Sequence, residues 1–168
     1  MQLPLGNTGK ILISSMNRNH VIGIDLGGTK VAGALFDGEG NILYREQHYL
    51  EDRGGEAAGR LIVQVIRQII AAAQKQARPV AAVGIGVPGI YYGDSGTVWA
   101  PNIPGWEAYP LREELHEALK GSGINVRIDS DRACYILGET WRGAATGCRD
   151  AIFLAVGTGI GAGILVDG

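Results

Sequence analysis

Residues 21–38 confine this chain to few folds. Two apolar runs, Val21–Ile24 and Val31–Phe36, flank a Gly27-Gly28-Thr29 turn, the pattern of a β-hairpin. Asp25 ends the first run, where a carboxylate is costly to bury without a charged partner. The adjacent glycines let backbone N–H groups approach an anion, while Thr29 adds a hydroxyl and Lys30 a positive charge. Such a turn can hold a phosphate, with Asp25 holding its Mg²⁺ directly or through water. It can equally be an ordinary hairpin whose Asp and Lys face solvent.

A second stretch narrows the choice. Shifting the sequence by 130 positions sets residues 152–168 against 22–38 without a gap, and Ile22, Gly27, Ala32, Gly33, Leu35, Asp37 and Gly38 meet identical residues. The second bend, Gly157-Thr158-Gly159-Ile160-Gly161, is again Gly-rich with a hydroxyl. Either two Gly-rich hairpins agree by chance, or a domain has been duplicated and each half supplies one phosphate-gripping loop.

The 168 residues suffice for one α/β domain with a real core. With 46% hydrophobic and 19% charged residues, the composition is that of a globular protein. The net charge of −2 argues against a nucleic-acid or membrane surface. No apolar run is long enough to span a bilayer, so a cytoplasmic protein is expected. Cys134 and Cys148 have neither the spacing nor the context of a disulfide or a metal site.

Residues 1–19 do not share the patterning of the rest of the chain and read as a non-core extension, with Met16 as a possible natural start. After the first hairpin, residues 42–50 read as a third strand. Apolar residues then recur at helical spacing from Glu56 to Ala77, with Pro79 as the stop. Residues 80–87 are near-continuously apolar, as in a strand buried on both faces. Gly84-x-Gly86-x-x-Gly89 matches the dinucleotide fingerprint, but Pro88 and Gly89 stand where a helix should begin. A dinucleotide site is therefore rejected. Asn102 stands in a Pro101-to-Trp106 loop ahead of a helix over 109–120; it can read sugar hydroxyls or simply fix a turn. Trp106 reads as core. A strand over 124–128 leads into a helix opened by Asp129-Ser130-Asp131-Arg132. Asp131 can be the cap of that helix or a general base.

Asp25-Leu26-Gly27-Gly28-Thr29-Lys30 and Gly157-Thr158-Gly159-Ile160-Gly161 resemble the two phosphate loops of the ROK sugar kinases. That family belongs to the actin, hexokinase and Hsp70 superfamily. The likeness runs from about His20 to the last residue and includes the Asn102 loop and the Leu137-Gly138-Glu139 tail of the last helix. It implies an α/β fold: a ribonuclease-H-like (actin-like ATPase) domain with a mixed five-stranded sheet, plus the first hairpin of a duplicated second domain. Residues 20–149 would be the N-terminal lobe and 150–168 the truncated start of the second.

The resemblance further implies an N-terminal portion of an ATP-dependent, glucokinase-like hexose kinase. Asp131 would be the catalytic base. Asp25, Gly27, Gly28, Thr29, Lys30, Gly157, Thr158 and Gly159 would hold ATP and Mg²⁺, while Gly89, Asn102, Ser130 and Asp131 would contact the sugar. The sequence departs from the family beside the base, where Ser130 replaces a sugar-binding Asn and Arg132-Ala133 replaces Ala-Asn. The serine is shorter and carries one hydroxyl; Arg132 is free to face solvent or an anionic substituent. A neutral hexose is expected, glucose first, then N-acetylmannosamine or fructose. The family's Glu-x-Gly-His segment, zinc site and adenosine pocket would come after these residues, so the chain alone is expected to be folded but inactive, and its exposed strand edges point to a homodimer. Two other functions compete: a sugar-responsive repressor of the same family, for which residues 1–19 are too short to be a winged helix, and a non-catalytic sugar- or nucleotide-binding half.

Overall fold

A computed structural model describes residues 20–156 and 160–168. Three strands open it: β1 (His20–Leu26), β2 (Lys30–Phe36) and β3 (Ile42–Tyr49). Helix α1 (Gly55–Gln74) leads to β4 (Val80–Val87), then to a short hairpin of β5 (Ile90–Tyr92) and β6 (Thr97–Trp99). Helix α2 (Leu111–Ala118), β7 (Asn125–Ser130) and α3 (Asp131–Arg142) come next. A last hairpin joins β8 (Ala151–Val156) to β9 (Ile160–Leu165).

The main sheet has five strands in the order β3-β2-β1-β4-β7. β1, β2 and β3 run antiparallel to one another in turn, and β4 and β7 extend the sheet in parallel with β1. This is the mixed sheet expected of a ribonuclease-H-like domain. The parallel crossovers place the ends of β1 and β7 along one edge, where loops can gather ligand groups.

Strand alternation selects the core. Ile22, Ile24 and Leu26 of β1 and Val31 and Leu35 of β2 are buried against Leu61, Ile62, Val65, Ile66 and Ile69 of α1. Each such side chain contributes roughly 1.5–3 kcal/mol. Gly33 is what lets the helix approach, because a Cβ there would lie 2.6 Å from Ile69 and 2.9 Å from Ile24. The helix ends at Gln74, ahead of the Pro79 stop expected from sequence. Ala77 takes a left-handed conformation with φ 51°, and the N–H of Arg78 returns to the carbonyl of Ala73 at 3.0 Å. The chain thus reverses through a Schellman-type turn before the proline is reached.

Trp106 is fully buried, as its reading as core requires. Its ring stacks on Tyr109 at 4.4 Å, and its indole N–H donates to the Gly55 carbonyl at 3.0 Å. The loop after β6 is thereby pinned to the start of α1. The β5–β6 hairpin has no counterpart among the elements expected from sequence. Among the described residues no helix is long and apolar enough to cross a membrane.

The last hairpin forms a separate two-stranded sheet. Its register corrects the ungapped match between the two hairpins. Leu26 pairs with Val31 across four intervening residues, but Val156 pairs with Ile160 across three. A shift of 130 therefore holds for the first strands and 129 for the second, which also brings Gly28-Thr29 over Gly157-Thr158. One residue of slip exchanges the two faces of a strand. Gly33 thus corresponds to Ala162, while Gly161 and Gly163 point to the opposite face, against α3.

Candidate functional site

Alternation along β1 places Asp25 on the sheet face away from α1. In register across the sheet it lies beside Ala32 of β2 on one side and Gly86 of β4 on the other. Gly86 in turn pairs with Asp129 of β7. Two carboxylates therefore flank a residue without a side chain, two strand spacings apart, or roughly 10 Å between backbones. A Cβ on that glycine would lie 3.5 Å from Cys134 Sγ and 3.7 Å from Asp131 Cα, so the start of α3 packs over this position.

The turn after β1 is closed by the Gly27 N–H donating to the Lys30 carbonyl at 2.8 Å. Neither Gly27 nor Gly28 has a positive φ, so closeness and not unusual backbone is what these positions require. A Cβ on Gly28 would lie 3.3 Å from that of Asn102. The structure thus brings the loop singled out for sugar against the turn singled out for phosphate. Gly28, Thr29, Lys30 and Asn102 are all exposed.

At the end of β7, Ser130 caps α3: its hydroxyl accepts the Ala133 N–H at 3.2 Å. Asp131 is therefore the first residue of the helix and not its cap. Asp131 Oδ1 accepts the Arg132 N–H at 2.7 Å and lies 3.6 Å from Arg132 Nε. Arg132 turns neither to solvent alone nor into open space, since its guanidinium donates to the Gly89 carbonyl at 3.0 Å. Gly89 has φ 139°, and a Cβ there would run into the Trp99 carbonyl. Only glycine lets the turn after β4 pass so close to β6.

Asp25, Gly86, Asp129, Asp131, Cys134 and Tyr135 share the lining of one cavity of about 990 Å³ over the open face of the sheet. Burial, and then the charge of Asp131, push the Asp25 carboxyl above its ordinary range, with Lys30 opposing them. Burial also raises the Cys134 thiol, helped by Asp129, Asp131 and Asp25. Both shifts come first from desolvation and only then from neighbouring carboxylates, in a cavity that Arg45 and Arg127 also line.

Sequence reasoning missed Asp129 and Gly86. Their signal was the glycine at every second position of β4, Gly84 and Gly86, which marks the face away from α1. Of the expected site residues, Asp25 and Asp131 meet in the cavity, Gly28 meets Asn102, and Gly89 meets Arg132. Gly157, Thr158 and Gly159 lie outside the described residues. Among those described, no group of three or more His, Cys, Asp or Glu is arranged to hold a metal.

A model of the ROK family matches residues 21–168. A glucokinase of Thermotoga maritima is 34% identical over 155 residues, covering 91% of this chain and 46% of its own length. An N-acetyl-D-glucosamine kinase of Citrobacter koseri is 32% identical over 146 residues, covering 87% and 46%. A ROK family glucokinase from Streptomyces griseus, solved with glucose and AMPPNP, superposes with a TM-score of 0.69 at 33% identity, covering 89% of this chain and 45% of that one. The chain spans about half the length of the curated relatives it matches.

Proposed function

Since the chain belongs to the ROK family, we propose that it is the N-terminal part of an ATP-dependent hexose kinase of the glucokinase type. The observation that carries this reading is the meeting of Asp25 and Asp131 in one cavity, beside a Gly-Gly-Thr-Lys turn that packs against the Asn102 loop. Residues 20–149 form the first lobe on this reading, and 150–168 begin the second. The protein acts in the cytoplasm as a homodimer.

The Asp131 carboxylate accepts the proton of the attacking sugar hydroxyl. The sugar oxygen bonds to the γ-phosphorus as its bond to the β-phosphate oxygen breaks, and ADP leaves. The backbone N–H groups of Gly27 and Gly28, the Thr29 hydroxyl and the Lys30 ammonium hold phosphate oxygens. Gly157, Thr158 and Gly159 grip the nucleotide from the second hairpin. Gly89, Asn102 and Ser130 orient the hexose. Asp25 would hold Mg²⁺, directly or through water, and the ion would neutralise phosphate charge. Asp25 fits that role because it shares a cavity with Asp129 and Asp131, where a cation would offset its partial desolvation and its repulsion by Asp131.

The test is ATP-coupled phosphorylation across a panel of hexoses by the complete gene product. Glucose is expected as the best substrate, with N-acetyl-D-glucosamine next, ahead of the N-acetylmannosamine and fructose expected from sequence, because a similar protein is an N-acetyl-D-glucosamine kinase. Absence of sugar-dependent ADP release with every neutral hexose would sink the reading. A sugar-responsive repressor would instead bind sugar and DNA without turnover. The 168-residue chain by itself is expected to fold and turn nothing over, because a phosphoryl-transfer site needs both sides to exclude water.

A further inference from the structure

Arg132 occupies a junction that neither phosphate nor sugar contacts explain. Its guanidinium donates to the Gly89 carbonyl at 3.0 Å, and its Nε lies 3.6 Å from Asp131 Oδ1. The side chains are 35% and 24% exposed respectively, so the pair is partly withdrawn from water. The aliphatic stem of Arg132 faces β9: a Cβ on Gly161 would lie 2.8 Å from its Cδ. A Cβ on Gly163 would run into the Arg132 backbone carbonyl. Two glycines on one face of β9 therefore make room for this one residue.

We propose that Arg132 is a positioning residue that ties three parts together: the Asp131 carboxylate, the Gly89 turn after β4, and the β8–β9 hairpin. It acts through Asp131 and Gly89 and not on the substrate itself. A planar guanidinium can serve a carboxylate and a carbonyl at once in fixed geometry, which an ammonium cannot. The charge beside Asp131 holds that carboxylate in one orientation, and the bond to Gly89 fixes the turn that leads into the β5–β6 hairpin. The stem seats the strand leaving the second Gly-rich bend. The inference rests on the kinase reading for its catalytic meaning, but its packing half stands without it.

Two experiments separate these halves. In the 168-residue chain, Gly161→Ala lowers the thermal midpoint of unfolding, and does so clearly less when Arg132→Ala accompanies it, since the shortened side chain vacates the space. Equal losses in both backgrounds overturn the packing. In the complete gene product, Arg132→Ala lowers kcat and raises the hexose KM, each by about 10-fold or more, as expected for losing partly buried charge-assisted bonds. Arg132→Lys keeps the charge beside Asp131 and recovers most of kcat, while the hexose KM stays raised because Gly89 loses its donor. Arginine, lysine and alanine at 132 giving equal kinetic constants overturns the positioning role. Failure of the kinase reading itself shows separately, as absence of sugar-dependent ADP release by the unsubstituted complete gene product with every neutral hexose.

Discussion

Ile24 and Leu154 occupy matching places in two hairpins of similar sequence, yet Ile24 is 4% exposed and Leu154 60%. The same holds along the whole face. Ile22, Leu26, Val31 and Leu35 are at most 1% exposed, while their counterparts Ile152, Val156, Ile160 and Ile164 range from 66% to 78%. What differs is the cover. α1 lies across the first hairpin, and α3 lies across the second, but on its other face, where Tyr135 meets Phe153 with ring centroids 5.2 Å apart. An apolar strand face supplies half a core, and the fold of this chain is anchored where a helix supplies the other half.

The largest expected contrast comes from truncating the matched residues. Ile24→Ala removes buried methylenes under α1 and should destabilise the chain by about 2–5 kcal/mol in urea unfolding. Leu154→Ala should stay within about 0.5 kcal/mol, as for an exposed site. A cost above about 2 kcal/mol at Leu154 would mean that its face is covered in solution, as by a second copy, and the contrast would fail.

A smaller contrast concerns the glycine under the helix. Gly33→Ala forces a methyl to within 2.6 Å of Ile69 and 3.0 Å of Val65. Overpacking of this kind costs typically about 1–3 kcal/mol. At the structural counterpart a methyl is already present in Ala162, and enlarging it to valine should change stability by no more than about 0.5 kcal/mol. A neutral Gly33→Ala would show that α1 sits further from the sheet than these distances require. A destabilising Ala162→Val would restore the ungapped match.

Much of this was legible in the sequence, for identifiable reasons. Strands β1 to β4 announce themselves because their apolar runs are bounded by glycine and proline, and α1 because seven apolar residues keep helical spacing. The mixed sheet followed from that order together with the family resemblance. Register was not legible. The ungapped alignment pairs Gly33 with Gly163, and only strand pairing reveals that one fewer residue in the second bend turns β9 over. The β5–β6 hairpin escaped because three-residue strands carry too few positions for a period. At the site, Asp25 and Asp131 stood out as carboxylates next to structural breaks. Ser130 as the cap did not, because Asp129, Ser130 and Asp131 are all good caps and local preference cannot choose among them. Nothing near Arg132 in sequence signals its partner, since Gly89 lies 43 residues earlier.

The smallest expected effect is electrostatic and distinguishes the turns rather than the cores. Burial and Asp131 hold the Asp25 carboxyl above its ordinary value of 3.8. The folded chain therefore binds that proton more tightly than the unfolded chain does, and the ionised form opposes folding. The penalty is absent below 3.8, where Asp25 is protonated in both states, and grows as pH rises through the folded-state value. Asp25→Asn should thus stabilise the chain at neutral pH, with the gain vanishing in acid. Loss of stability at pH 7 would show that the carboxylate is satisfied by its surroundings, and the assignment of Asp25 to a cation would lose its support.

The central claim is that Asp131 takes the proton from a sugar hydroxyl. In the complete gene product, Asp131→Asn should keep hexose affinity, measured by calorimetry, within a few-fold of wild type. Its turnover with ATP should fall by about 10²–10⁴, the usual contribution of a positioned general base. Wild-type turnover in Asp131→Asn, with the sugar still bound, would contradict that claim.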